Sequence, residues 1–180
     1  MIRPTDVRVT STALRFLPVQ TRVPLKFGPE TLTSVTCARV CVRVTDRAGH
    51  SAEGWGETPL SVQWVWPSDL PYAERNDALK ALSVRLAREW AGFGLAGHPI
   101  EIGHEFQRSL LPAVLAEVNA ARGAGAEPIP WLAALVCLSP FDLAFHDAFG
   151  NLLGRPTWSC YGPELMSADL AAYLEPAAGA

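Results

Sequence analysis

The stretch "LSPFDLAFHDAFGNLLGRPTW", Leu138–Trp158, decides how the rest of the chain is read. Ser139 is a good N-cap, Pro140 suits the first helical position, and Asp142 closes a capping box. Phe141, Phe145, Phe149 and Leu152 form one apolar stripe at helical spacing, and Gly154 followed by Pro156 ends it. A helix beginning at Ser139 is therefore predicted. It carries Asp142, His146 and Asp147 within two turns. Asp142 and His146 are i,i+4 neighbours, which meets the geometric condition for a metal ligand pair or an acid–base dyad. The preferred reading is structural: Asp142 closes the cap, and His146 and Asp147 hydrogen-bond to the scaffold.

Upstream, "GAGAEPIP" at 123–130 reads as a loop. Before it, "PIEIGHEFQRSLLPAVLAEVNAARG" is helical, with Pro112 kinking or dividing it. In "YAERNDALKALSVRLAREWAGFG" the residues Leu79, Leu82, Leu86, Trp90 and Phe93 make a core stripe that Gly92 and Gly94 stop. The first third changes period. Val7–Leu17 is rich in β-branched residues. Val35–Thr45 alternates, with Ala38, Val40, Val42 and Val44 on one face and Cys37, Arg39, Cys41 and Arg43 on the other. "DRAGH", Asp46–His50, is a turn, and "SAEGWGETPL" from Ser51 is the return strand. The expected class is α+β: a three-stranded antiparallel meander, then a helical bundle. The connection "PVQTRVPLKFGPETLT" is longer than a hairpin needs and is expected to be a functional loop. "SADLAAYLEPAAGA" is read as one more strand, Leu170–Leu174.

Composition narrows the function. The chain has 180 residues, 49% hydrophobic and 18% charged, with a net charge of -3, so it lacks the basic footprint of a nucleic-acid binder. The opening MIRPTDVRVT has no apolar core of a secretory signal. The apolar run "WLAALVCL" is far shorter than the ~20 residues of a membrane span. A soluble, cytoplasmic protein with no membrane partner is expected. Cys37 and Cys41 would lie about 13 Å apart along one strand, beyond the ~7 Å a disulfide tolerates. Neither a C-x-x-C nor a zinc spacing occurs, so four free thiols are expected.

Gly54, Gly56, Glu57 and Thr58 match a G-x-G-E-[TCS] strand end. Asp142, Leu143, Ala144, Asp147, Gly150, Gly154 and Pro156 match D-[IL]-A-x-x-D-x-x-G-K-x-x-G-x-P, with Asn151 where Lys is usual and His146 where Trp is common. In this order and spacing, over about residues 7 to 175, the chain resembles the amino-terminal half of the mandelate racemase and muconate lactonizing enzymes of the enolase superfamily. The resemblance implies an α+β capping domain, residues 1–130. It implies that 131–180 hold the barrel-entry helix and a truncated first barrel strand. In such enzymes Mg²⁺ and a Lys or His base in a (β/α) barrel remove the proton α to a substrate carboxylate. The capping loops select the substrate, a small-molecule carboxylate.

A barrel needs at least ~200 residues. Lys26 and Lys80 are the only lysines, so the family's K-x-K base is absent, and Glu164, Asp169 and Glu175 share one short tail. The catalytic residues are therefore expected beyond Ala180, and neither a catalytic residue nor a metal ligand is assigned in this chain. Its activity alone is expected to be nil, and no cofactor is expected in the chain alone.

By the same resemblance, Val19–Gly28 is the first capping loop, where Arg22 and Lys26 would pair with a substrate carboxylate and Phe27 would exclude water. Glu57–Asp69 is the second, where Trp64 and Trp66 alternate, would face one side, and would wall an apolar pocket; the alternative packs both against the helices. Glu57 is expected to brace its strand end. His50, His98 and His104 are expected at the surface or at helix ends. If a barrel normally covers the Phe141–Leu152 stripe, that stripe should be exposed here, with an open strand edge near 170. The alternative is a stand-alone, non-catalytic binding or oligomerisation module with a covered patch; a homo-oligomer is allowed by either reading. A hydrolase built on His146 and an aspartate ranks last, because no nucleophile is visibly activated.

Overall fold

The computed structural model describes residues 3–27 and 30–173. Strand β1 spans Val7–Phe27, β2 spans Glu30–Asp46 and β3 spans Ser51–Pro59. They form one antiparallel sheet in the order β1-β2-β3. Helices follow: α1 (Val62–Val65), α2 (Tyr72–Gly92), α3 (Pro99–Glu105), α4 (Leu111–Ala121) and α5 (Trp131–Leu153). This is the expected α+β arrangement.

Alternation in β2 sets the layers. Ala38, Val40, Val42 and Val44 are fully buried beneath α2 and α5, while Arg39 and Arg43 reach solvent and pair with Glu57 and Glu53 on β3. The pairing Arg39↔Glu57 and Arg43↔Glu53 puts each charge opposite its partner in the ladder. Glu57 braces its strand in this way. Cys37 and Cys41 lie sheltered on the same face, and all four cysteines are free and buried.

The α2 stripe is core: Leu79, Leu82, Leu86 and Trp90 are fully buried. Trp90 stacks on Phe106, ring centroids 4.3 Å apart. The second helical stretch is not divided at Pro112: the backbone stays helical from Pro99 to Ala121, and α3 passes into α4 through a π-helical turn at Phe106–Leu110. Pro112 follows that wider turn, where the regular i→i−4 hydrogen-bond pattern gives way.

Four other expectations change. The segment Val19–Gly28 is not a loop as far as Phe27. β1 continues along β2 through Leu25↔Leu32, Lys26↔Thr31 and Phe27↔Glu30, after an irregular stretch between Gln20 and Leu25. Pro18 is tolerated because β1 is an edge strand.

The helix does not begin at Ser139. α5 starts eight residues earlier and runs through Pro140. Pro130 precedes Trp131, and the apolar run 131–138 extends the buried face, with Ala133, Ala134 and Cys137 fully buried. Burial over the whole length outweighs the one hydrogen bond that Pro140 cannot make. By length and composition α5 could cross a membrane, although 61% of its most apolar window is buried within this fold.

Leu170–Ala172 forms a 3₁₀ turn rather than a strand, with the Asp169 carboxylate accepting from Ala171 N–H; Leu174 lies outside the described residues. Finally, Phe141, Phe145 and Phe149 are not exposed. They are buried within this chain, and Leu152 is partly buried against the same core.

Candidate functional site

The two sequence motifs meet in one joint. Gly54 and Gly56 face α5, and their lack of Cβ lets the helix backbone lie directly on β3. A Cβ on Gly56 would stand 2.7 Å from Ala144 N and closer still to the Pro140 carbonyl oxygen. A Cβ on Gly54 would strike the backbone of Ala144 and Ala148. Asp147 pins the joint: its Oδ2 accepts from Trp55 N–H at 2.8 Å and from Asn151 Nδ2 at 3.3 Å. Asn151 also donates to the Glu53 carbonyl at 2.9 Å. Gly150 gives room to the returning chain, where Arg155 N–H reaches the Gly150 carbonyl at 3.0 Å. Gly154 takes the left-handed conformation, φ 62°, that closes the helix.

Asp142 and His146 occupy the other side of α5. No hydrogen bond reaches Asp142 among the described residues, so it closes no capping box. Its Oδ1 is 3.8 Å from His146 Nε2, and His146 Nδ1 is 2.8 Å from the Tyr161 hydroxyl. Asp142 opens on a cleft of about 410 Å³ between α3, the π turn and α5. Burial pushes its carboxyl up to about 6 and pushes His146 down to about 4. The pair is therefore a carboxylate beside a neutral imidazole at pH 7. His98 adjoins this group. It is buried, donates Nε2–H to the Cys160 carbonyl at 2.9 Å, and accepts from Ile100 N–H through Nδ1 at 3.2 Å. It is a helix-end residue, as expected, but not a surface one. His50 is exposed beside Asp46, with Nδ1 2.9 Å from Oδ2.

The two capping segments also take definite places. Arg22 and Lys26 are exposed on the extended hairpin arm and form no ion pair among the described residues. Phe27 pairs with Glu30 at the end of the arm. Trp64 and Trp66 do not face one side. α1 turns the chain between them, so Trp64 is 54% exposed and Trp66 is fully buried. The Trp66 indole N–H donates to Glu127 at 2.6 Å, and the Arg122 guanidinium lies over its ring at 5.1 Å.

Sequence reasoning missed Arg75. Its guanidinium is buried, donates to the Trp66 carbonyl at 2.6 Å, and pairs with Glu30 at 3.1 Å. It ties the start of β2 to the segment after α1. An arginine within a helical stripe reads as solvated, and only the fold brings its two partners together.

Among the described residues, no group of three or more His, Cys, Asp or Glu could hold a metal ion.

No family model matches the chain, and no curated protein matches it significantly. The chain is similar to solved structures of enolase-superfamily members. One is an enolase from Bradyrhizobium complexed with magnesium and mandelic acid: 18% identity, TM-score 0.46, covering 86% of this chain and 34% of that one. Another is an enolase-superfamily member from Roseovarius nubinhibens ISM: 20% identity, TM-score 0.45, covering 88% and 34%. A third is a dipeptide epimerase from Enterococcus faecalis V583 complexed with Mg and L-Leu-L-Tyr: 13% identity, TM-score 0.45, covering 87% and 35%. The chain thus spans about a third of the length of these structures.

Proposed function

We propose that this chain is the amino-terminal, substrate-selecting portion of a Mg²⁺-dependent enolase-superfamily enzyme, one that removes the proton α to a small-molecule carboxylate. The observation that supports it best is the joint between β3 and α5. The two motifs that suggested the family are about ninety residues apart in sequence, yet each supplies one half of a single backbone-to-backbone contact. On this reading Arg22 and Lys26 on the arm offer positive charge to the substrate carboxylate, and Trp64 offers an exposed apolar wall. Trp66 and Arg75 position that wall from beneath.

The described residues do not fit Mg²⁺, which wants near-octahedral oxygen ligands, because the Asp142 carboxylate has only an imidazole nitrogen for company. No step through a metal is assigned to this chain. The metal ligands and the base would come from a barrel supplied by further sequence.

The test is the intact mass of the native polypeptide, together with α-proton exchange in D₂O for a panel of α-hydroxy and sugar acids with Mg²⁺. A polypeptide about twice this size that exchanges the proton only with Mg²⁺ is expected, consistent with a barrel of at least ~200 further residues. A native polypeptide of 19.4 kDa overturns the reading. So does exchange catalysed by the 180-residue chain alone.

One observation favours a second reading, a stand-alone module. Phe141, Phe145 and Phe149 are covered within the chain, where a stripe left for a barrel would be open. A 19.4 kDa native product that remains folded would select it.

A further inference from the structure

The cleft beside α5 contains an unmatched charge. None of its lining residues is a Lys or Arg, and its one carboxylate, on Asp142, receives no hydrogen bond among the described residues. The side chain is 44% exposed and is one of the residues lining the cleft. Room for it is built in: a Cβ on Gly103 would lie 2.6 Å from Asp142 Oδ1. Ile100, Leu135 and Leu138 give the walls an aliphatic part, beside the polar His104, Gln107 and Ser139.

We propose that this cleft binds an organic ammonium ion, a primary amine carrying an apolar chain, through the Asp142 carboxylate. The ammonium would donate to Asp142 Oδ1 and to His146 Nε2. These atoms stand 3.8 Å apart, close enough for one –NH₃⁺ to serve both. For Nε2 to accept, Nδ1 must carry the proton and donate to the Tyr161 oxygen, a contact already present at 2.8 Å. The apolar chain would lie along Leu135 and Leu138. A divalent cation fits less well, since the described residues offer no third ligand. An anion would face the carboxylate directly.

The test uses the 180-residue chain and n-hexylammonium, followed by the His146 ring resonances in NMR. A saturable shift is expected in the wild type. Asp142→Asn keeps the shape, removes the charge, and should weaken binding by about tenfold or more. n-Hexanol, with the same chain and no charge, should bind the wild type more weakly by a similar factor. The proposal is overturned by the absence of a saturable shift, by Asp142→Asn binding within about twofold of the wild type, or by hexanol binding equally well.

Discussion

Replacing Gly56 by alanine tests the central joint most directly. The added carbon would sit 2.7 Å from Ala144 N and nearer still to the Pro140 carbonyl oxygen. Both obstacles are backbone, so no rotamer change relieves them. α5 must retreat by roughly 1 Å to restore ordinary contact. Overpacking usually costs about 1–3 kcal/mol, and a clash of main chain with main chain belongs at the top of that range. A loss of about 3 kcal/mol is a large part of the 5–15 kcal/mol that holds a typical domain folded. For a chain of this size it lowers Tm by roughly 6–12 °C. Gly54→Ala should be at least as damaging, because its obstacles are also main chain and lie closer. The control is Gly92→Ala at the end of α2, where nothing lies within 4 Å of the added carbon. There the substitution should stabilise by about 0.5–1 kcal/mol. Urea unfolding followed by far-UV circular dichroism reads all three. If Gly56→Ala falls within about 0.5 kcal/mol of the wild type, α5 does not rest on β3 and the joint is refuted.

Stability against pH gives a second prediction. Asp142, raised to about 6, stabilises the fold below about pH 4, and that contribution is lost as pH rises through about 6. His146, lowered to about 4, contributes above about pH 6.5 and loses that contribution as pH falls toward 4. Between about pH 4 and 6 the proton Asp142 keeps is balanced by the one His146 refuses, so this pair should leave the wild-type curve nearly flat. Asp142→Asn should make stability fall with acid over that window, and His146→Gln should make it fall with base; three parallel curves would contradict the assignment. Arg75→Met should cost about 2–4 kcal/mol by stranding Glu30 and the Trp66 carbonyl. Hydrogen exchange should then accelerate together in the hairpin arm and around Val62–Trp66, and acceleration of only one would show that Arg75 does not tie them.

The strands and helices that bury one face were legible because their period is local. The alternation of Val40, Val42 and Val44 and the stripe from Leu79 to Trp90 each name a buried side without reference to any partner. The G-x-G of β3 was visible as a motif, but its cause was not, since only the fold brings Ala144 and Ala148 against it. Local signals misled where tertiary burial competes with them. Ser139 and Pro140 are a sound helix start, yet the apolar run before them is worth more as helix than the cap is worth as a boundary. Pro18 and Pro24 punctuate the sequence, yet on an edge strand the first is tolerated in register and the second falls in the irregular stretch. For the candidate sites, the i,i+4 spacing of Asp142 and His146 was plain. The unmatched charge between them was not, because Tyr161, Gly103 and the α3 wall arrive from elsewhere in the chain. Trp64 and Trp66 look alike in sequence and separate only because α1 turns the chain between them.

The bare contact of β3 with α5 has a mechanical side. Interdigitated side chains also transmit strain, but they put a layer of rotatable groups between the two backbones. Here main chain rests on main chain, and the Asp147–Trp55 hydrogen bond clamps the two in register. A displacement of the helix therefore meets the strand's main chain directly. β3 ends at Pro59, only a few residues before Trp64, so a shift of the strand has a short path along the chain to that exposed indole.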